Sequence, residues 1–146
     1  DYPFVRLFKS PDLSEFNPDD FREDMIKVSL LLKRSKLVIC GQSTFAIDSS
    51  CTNTPVINIS FDGDIEVDSK LSVKNRYNVD HYQKLTSMDG TTIIEDFRSL
   101  DNEINSYLIN PELKSLGRDK IKNNFAGFFN KLSSERITER IIKLIE

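Results

Sequence analysis

The feature that most limits the possible folds is a continuous apolar run that ends in glycine, at residues 37–41. A run without alternation of polar and apolar residues is typical of a strand buried on both faces, as in parallel sheets. A second strand is predicted at residues 55–60, with proline in its first position. A short helix, residues 43–51, is predicted between them. Because strand, helix and strand in this order form parallel units, the sequence predicts the α/β class.

The rest of the chain continues this alternation of helical and β-prone segments. Apolar residues at spacings of three and four predict a helix over residues 19–34, and Asn17-Pro18 supplies its N-cap and a proline at the first helical position. A loop with two prolines separates this helix from a short β-prone segment. The further predictions are β structure at residues 5–8 and 91–95, an acidic loop at residues 61–74, and helices at residues 77–85, 97–108, 113–129 and 133–145.

The composition of the chain limits the classes of protein to which it can belong. With 146 residues, 38 % of them hydrophobic and ten of them Phe, we expect a single domain over residues 1–146 with a true core. The net charge of −3 argues against a nucleic-acid partner. The apolar run between Lys36 and Asp48, and the longer uncharged run between Asp48 and Asp62, are too short to span a membrane. Cys40 and Cys51 form no Cys-x-x-Cys pair and the chain has one histidine, so we expect no metal site, and reduced thiols in the cytoplasm.

The clearest chemical signal lies just after the first predicted strand. A turn at Gly41-Gln42 leads into a helix whose first turn contains Ser43 and Thr44. Their hydroxyls and the neighbouring backbone N–H groups lie at the carboxyl end of the sheet, where open α/β sheets bind ligands and helix N-termini favour phosphate. Asp48 follows one turn later, so its carboxylate can accept hydrogen bonds from ribose hydroxyls. The simpler alternative is that the hydroxyls only cap the helix and that Asp48 is solvated.

The motif Gly-Gln-Ser-Thr-x-x-x-Asp at residues 41–48, followed by Asn-Thr-Pro-Val-Ile at residues 53–57, resembles a known family. It is similar to the nucleotide-sugar-binding half of GT-B glycosyltransferases. The nearest members are bacterial surface-polysaccharide transferases and the related CDP-glycerol glycerophosphotransferases and sugar-nucleotide 2-epimerases. The likeness covers residues 19–146, through the His-Tyr pair at 81–82, the glycine at 90 with its strand, and a helix that stops at Pro111.

The resemblance implies the C-terminal half of the GT-B fold, a three-layer Rossmann-like domain with a mainly parallel sheet. In the family the Ser-Thr turn holds the diphosphate of the donor and the acidic residue binds the ribose. Carried over, Ser43 and Thr44, with the backbone of Gly41 and Gln42, would hold the diphosphate, and Asp48 would bind the ribose. The donor would be a nucleoside diphosphate-sugar or a CDP-glycerol-like compound, and no cofactor would be required.

The chain departs from the family pattern at several points. Asp48 stands where the family has Glu, which gives the carboxylate a shorter reach. Asn53 stands where the family has Gly, and Asn tolerates the left-handed backbone conformation better than most residues. Residues 37–66 contain no Glu-x₇-Glu pair of the kind that retaining members use, although Asp62 and Glu66 lie in a loop near the expected donor site.

Length sets a further expectation. A GT-B enzyme has two domains of roughly 150–200 residues each, a size usual for domains, and this chain has 146 residues in all. We therefore expect a fragment that binds the donor, lacks the N-terminal acceptor domain and is not active alone. The partners implied are the donor and that missing domain, and any association with a membrane would be peripheral, through the rest of the enzyme.

Other residues have both a functional and a simpler interpretation. His81, the single histidine, could serve as an acid or base near the donor or could be a surface or capping residue. Arg6 could meet a phosphate or could simply be exposed. The acidic residues of the 61–74 loop lack the glycine and terminal glutamate of a calcium loop, so a solvated loop is expected. Phe125, Phe128 and Phe129 are expected in the core, or on a patch that packs on the missing domain.

Two alternative functions remain open from the sequence. One is an α/β domain without catalytic activity that binds a protein partner, in which case an exposed apolar patch and no nucleotide affinity are expected. The other is half of a sugar-nucleotide 2-epimerase, which would share the donor site.

Overall fold

The structure is a computed structural model that describes residues 17–127 and 132–145. In chain order its elements are α1 (Pro18–Arg34), β1 (Val38–Cys40), α2 (Phe45–Cys51), β2 (Val56–Ile59), a 3₁₀ helix (Val73–Asn78), α3 (Asp80–Thr86), β3 (Thr92–Ile94), α4 (Phe97–Ile109), α5 (Ser115–Ile121), a π-helical turn (Lys122–Ala126) and α6 (Ser133–Ile145). The β structure predicted at residues 5–8 lies outside the described residues.

The three strands form a parallel sheet in the order β1-β2-β3. Val38 lies opposite Val56, and Ile57 lies opposite Thr92. In the central strand Val56, Ile57 and Asn58 are wholly buried, as expected for a strand that is covered on both faces. The prediction of an α/β class with a parallel sheet is therefore confirmed.

Helices cover both faces of this sheet, because successive side chains of a strand point to opposite sides. Val56 packs with Ala46 of α2 and Leu85 of α3, in a cluster that also includes α5. Ile57 packs with Tyr107 of α4 on the other side. The layers are thus helix, sheet and helix, with the core divided between the two faces of β2.

Helix α1 begins as the sequence predicts. The Asn17 side-chain oxygen accepts a hydrogen bond from the Asp19 N–H at 3.0 Å, and Pro18 occupies the first helical position. Leu32 is buried near the C-terminal end of the helix, whereas Phe21 is 45 % exposed near its start. Helix α1 therefore lies at the rim of the domain, where it packs against α2.

The helix predicted at residues 113–129 differs from the structure. Helix α5 starts only at Ser115, after Lys114 in the left-handed conformation with φ 59°. The π-helical turn ends at Gly127, whose φ of 78° stops the helical path. Phe125 packs against the cluster around Val56, as expected of a core residue, whereas the residues at 128 and 129 lie outside the described part.

Helix α5 approaches the turn before β3 through a pair of glycines. A Cβ atom placed on Gly90 would lie 2.6 Å from the carbonyl carbon of Gly117. A Cβ atom on Gly117 would overlap the carbonyl group of Asp89. The close contact between these two backbones therefore requires glycine at both positions.

Candidate functional site

Residues 41–44 form an open loop at the carboxyl edge of the sheet. The loop follows β1 directly and leads into α2, with Gly41 and Thr44 exposed and Gln42 and Ser43 partly buried. The segments that follow β2 and β3 leave the sheet at the same edge, because the three strands are parallel. The structure thus places the four predicted loop residues where open α/β sheets receive ligands.

The two hydroxyl residues of this loop have different roles in the structure. The Ser43 Oγ atom accepts a hydrogen bond from the Phe45 N–H at 3.1 Å, so Ser43 caps α2. Thr44 makes no side-chain capping bond, and its side chain is exposed. The capping interpretation therefore holds for Ser43, whereas the Thr44 hydroxyl stays available to a ligand.

The backbone of the loop also has hydrogen-bonding capacity left. The N–H groups of Phe45 and Ala46 donate within the turn, to Ser43 Oγ and to the Ser43 carbonyl oxygen at 3.3 Å. The N–H groups of Gln42 and Thr44 have no hydrogen-bond acceptor within residues 17–127 and 132–145. These two donors are therefore not used by the described part of the chain.

Gly41 differs from the expected tight-turn glycine. Its φ is not in the left-handed region, and a Cβ atom placed on it would meet nothing within 4 Å. Neither backbone conformation nor packing among the described residues therefore requires glycine here. A bare backbone at this exposed position leaves room for a ligand to approach the chain closely.

Asp48 lies one turn beyond Thr44 on α2, as predicted. It borders a cleft of about 200 Å³ between α1 and α2, which is lined mainly by apolar atoms of residues such as Met25, Leu32 and Cys51. Partial burial raises the pKa of the Asp48 carboxyl above its usual value. Because Asp48 and Thr44 are four residues apart on one helix, both side chains are accessible from the same side.

A buried polar cluster under the loop was not predicted from the sequence. Asn58, wholly buried in β2, accepts a hydrogen bond from the Tyr82 hydroxyl at 2.9 Å, and Cys40 Sγ lies 3.6 Å from the same oxygen. Burial raises the pKa of Tyr82 to about 12. The sequence signal for this cluster was the single polar residue inside the apolar strand Val-Ile-Asn-Ile.

The remaining candidate residues, His81, Arg6 and Asp62, are not part of the loop at residues 41–44. His81 is exposed in the first turn of α3, immediately before the inward-pointing Tyr82. Arg6 lies outside the described residues. Asp62 accepts hydrogen bonds from Ser72 Oγ at 2.6 Å and from the Val73 N–H at 2.7 Å, which lower its pKa and fix the start of the 3₁₀ helix.

A second cleft lies at the carboxyl ends of β2 and β3, the edge of the sheet at which the loop follows β1. It measures about 340 Å³ and is lined by Asp62, Asp64, Glu95 and Asp96 together with Lys74. In the part of the chain that the structure describes, no group of three or more His, Cys, Asp or Glu residues is arranged to hold a metal ion.

Asn53, in the turn between α2 and β2, adopts the left-handed conformation with φ 57°, which Asn tolerates better than most residues.

Comparisons of the chain with protein-family models, with curated proteins and with solved structures found no match. Among the helices of the described residues, none combines the length and the apolar character needed to cross a membrane.

Proposed function

We propose that the chain is the donor-binding domain of a GT-B glycosyltransferase of bacterial surface-polysaccharide synthesis. Its ligand is a nucleoside diphosphate-sugar or a CDP-glycerol-like donor. The observation that carries the proposal is the open loop at residues 41–44, which follows β1 at the carboxyl edge of a parallel sheet. The loop presents the Thr44 hydroxyl, two backbone N–H groups without acceptors and the bare backbone of Gly41.

In the proposed complex the donor diphosphate lies against this loop. The N–H groups of Gln42 and Thr44 and the Thr44 hydroxyl donate to its oxygens, and they stabilise the leaving nucleoside diphosphate as negative charge develops on it. One such preorganised donor contributes about 3 kcal/mol to transition-state stabilisation in well-studied enzymes. Asp48, one turn farther along α2, accepts hydrogen bonds from the ribose hydroxyls.

In this proposal the acidic cleft after β2 and β3 binds the sugar or glycerol group of the same donor. Ionised carboxylates only accept hydrogen bonds, and the hydroxyl groups of a sugar or glycerol donate them. Glu95 and Asp64, which border the cleft, can therefore accept from these hydroxyls, while the diphosphate stays at the neighbouring loop. The proposal further includes a cytoplasmic location, an N-terminal acceptor domain as partner and a peripheral association of the whole enzyme with the membrane.

The proposal is tested by calorimetric titration of the chain with UDP, CDP and GDP. Thr44→Ala removes one proposed donor from an exposed position, so we expect an affinity about fivefold lower for the nucleotide that binds, the loss of one net hydrogen bond. Thr138→Ala, at an exposed position of α6, is the matched control and should leave affinity unchanged. Equal nucleotide affinity of Thr44→Ala and Thr138→Ala would show that the Thr44 hydroxyl does not bind the diphosphate.

One observation favours the second candidate, binding of a protein partner. Helix α6 exposes a row of large apolar residues, namely Ile137, Ile141, Ile142, Leu144 and Ile145. A surface of this kind is typical of an interaction site. This candidate predicts a folded chain that binds none of the three nucleotides.

A further inference from the structure

We propose that the free edge of β1 is the docking site for residues 5–8 of the same chain, which add a fourth parallel strand to the sheet. These residues, Val-Arg-Leu-Phe, lie outside the described residues, and their sequence predicts β structure. The inference is independent of the proposed function, because it concerns an edge of the sheet and involves no ligand.

The first argument is that β1 has the sequence of an inner strand at the position of an edge strand. In the described part of the chain it pairs only with β2. The Val38 N–H donates to the Pro55 carbonyl oxygen at 2.9 Å, so the backbone groups of the next residue, Ile39, point away from β2. The Ile39 side chain is 44 % exposed, whereas Ile57 opposite it in β2 is wholly buried. An open apolar edge of this kind accepts a further strand.

The second argument is the contrast with the other edge of the sheet. At β3 the Lys114 ammonium donates to the Thr91 carbonyl oxygen at 3.2 Å and lies 2.9 Å from the Asp89 carboxylate. A lysine beside an edge strand is a common protection against further strand pairing. The β3 edge is thus protected, which leaves the β1 edge as the one able to accept another strand.

The third argument is the handedness of the connections. Helix α1 packs against α2, and its Leu32 carbonyl oxygen accepts a hydrogen bond from Thr54 Oγ1 at 2.9 Å. Since α2 lies on the Val56 face of the sheet, α1 covers the same face. Connections between parallel strands are almost always right-handed, so successive connections on one face advance across the sheet in one direction. The connection through α2 leads from β1 to β2, and a strand before α1 therefore lies on the opposite side of β1.

The fourth argument is that the length and sequence of the segment fit this position. Helix α1 has 17 residues and is about 25 Å long. The eight residues at 9–16 can span roughly 27 Å, which is enough to join the end of a strand at residue 8 to the start of α1. The segment carries one charge, on Arg6, and charged side chains are usual in edge strands. The run at residues 37–40 carries none, as expected once it becomes an inner strand.

The experiment is NMR on the ¹³C,¹⁵N-labelled 146-residue chain. We expect nuclear Overhauser effects between residues 5–8 and β1, and slow hydrogen exchange of the Ile39 amide. Leu7→Pro disrupts pairing because proline has no N–H group to donate, so Ile39 should exchange about tenfold faster, as for the loss of one backbone hydrogen bond. The Cys40 amide, which faces β2, should stay protected. Ser14→Pro, between residues 9 and 16, is the matched control and should leave Ile39 exchange unchanged.

The outcomes decide between this strand and other occupants of the edge. Fast exchange at Ile39 in wild type, without Overhauser effects from residues 5–8, would overturn the proposal. So would Overhauser effects between β1 and an unlabelled copy in a mixed sample, since a second copy would then occupy the edge. The wild-type spectra need no variant, so they test the proposal even if Leu7→Pro fails to fold. The titration with UDP, CDP and GDP does not enter, and each of the two proposals can therefore fail alone.

Discussion

Arg118 Nε donates to Asn53 Oδ1 at 2.8 Å and so links α5 to the turn between α2 and β2, 65 residues earlier in the chain. The guanidinium group is wholly buried. It also donates to the carbonyl oxygens of Leu113 at 2.5 Å and of Pro111 at 2.8 Å. This buried cation has three well-placed oxygen acceptors. It holds together the segments that support α2, the helix that follows the candidate loop.

The first prediction concerns this cation. Arg118→Met keeps an unbranched side chain at the buried position but leaves three oxygen acceptors without their donor, so we expect the free energy of unfolding to fall by about 3 kcal/mol. Urea denaturation measures the change. Arg140→Met, at an exposed position of α6, is the control and should change stability by no more than about 0.5 kcal/mol. A small loss for Arg118→Met would mean that the contacts of Arg118 do not support the fold.

The second prediction compares alanine substitutions at two glycines, Gly117 and Gly41. Gly117→Ala places a methyl group on the backbone of Asp89, so we expect a loss of roughly 3 kcal/mol or failure to fold, because backbone atoms cannot move aside cheaply. Gly41→Ala meets no protein atom and should leave the melting temperature unchanged while it weakens nucleotide affinity. Thermal melts and titrations of both variants test this contrast. A normal affinity in Gly41→Ala would indicate that no ligand approaches the loop closely.

The parts of the fold that could be predicted from the sequence are those that depend on local pattern. The apolar run before Gly41 indicated a buried parallel strand, and Asn17 with Pro18 indicated the start of α1, because capping and strand burial depend on residues close together in sequence. The end of the helical region near residue 127 was not predicted. Its π-helical turn depends on packing against α2, which apolar spacing does not reveal.

The candidate site was predicted only in part, for a similar reason. Residues 41–44 and Asp48 are contiguous or one turn apart, so their placement follows from one strand and one helix. The link between Tyr82 and Asn58 joins residues 24 apart in sequence, and helical spacing alone assigns Tyr82 to the core without a partner for its hydroxyl. Predicting a buried polar pair of this kind requires the register of the sheet, which the sequence pattern leaves undetermined.

The third prediction uses the titration of Tyr82, whose pKa is raised by burial from the ordinary 10.0 to about 12. A group with a raised pKa in the folded state contributes stability that is complete below the unfolded pKa and is lost as pH rises toward the folded pKa. Wild type should therefore lose stability between about pH 10 and pH 12. Tyr82→Phe lacks this loss, so the difference in unfolding free energy between wild type and the variant should shrink over that range.

Urea denaturation at pH 9 and pH 11, flanking the ordinary tyrosine pKa of about 10, measures this difference. Because both proteins keep the same lysines and the other tyrosines, titration of these groups largely cancels in the comparison. A difference that stays constant between the two pH values would show that the Tyr82 hydroxyl is not buried as the structure has it.

The central claim is that the loop after β1 binds the diphosphate of a nucleotide donor. The most direct test is a titration of the ¹⁵N-labelled chain with UDP, CDP and GDP, followed by the chemical shifts of the backbone amides. We predict that at least one nucleotide shifts the amides of Gly41, Gln42, Ser43 and Thr44 most strongly, with smaller shifts near Asp48. Amide shifts confined to other parts of the folded chain, or no shifts with any of the three nucleotides, would contradict it.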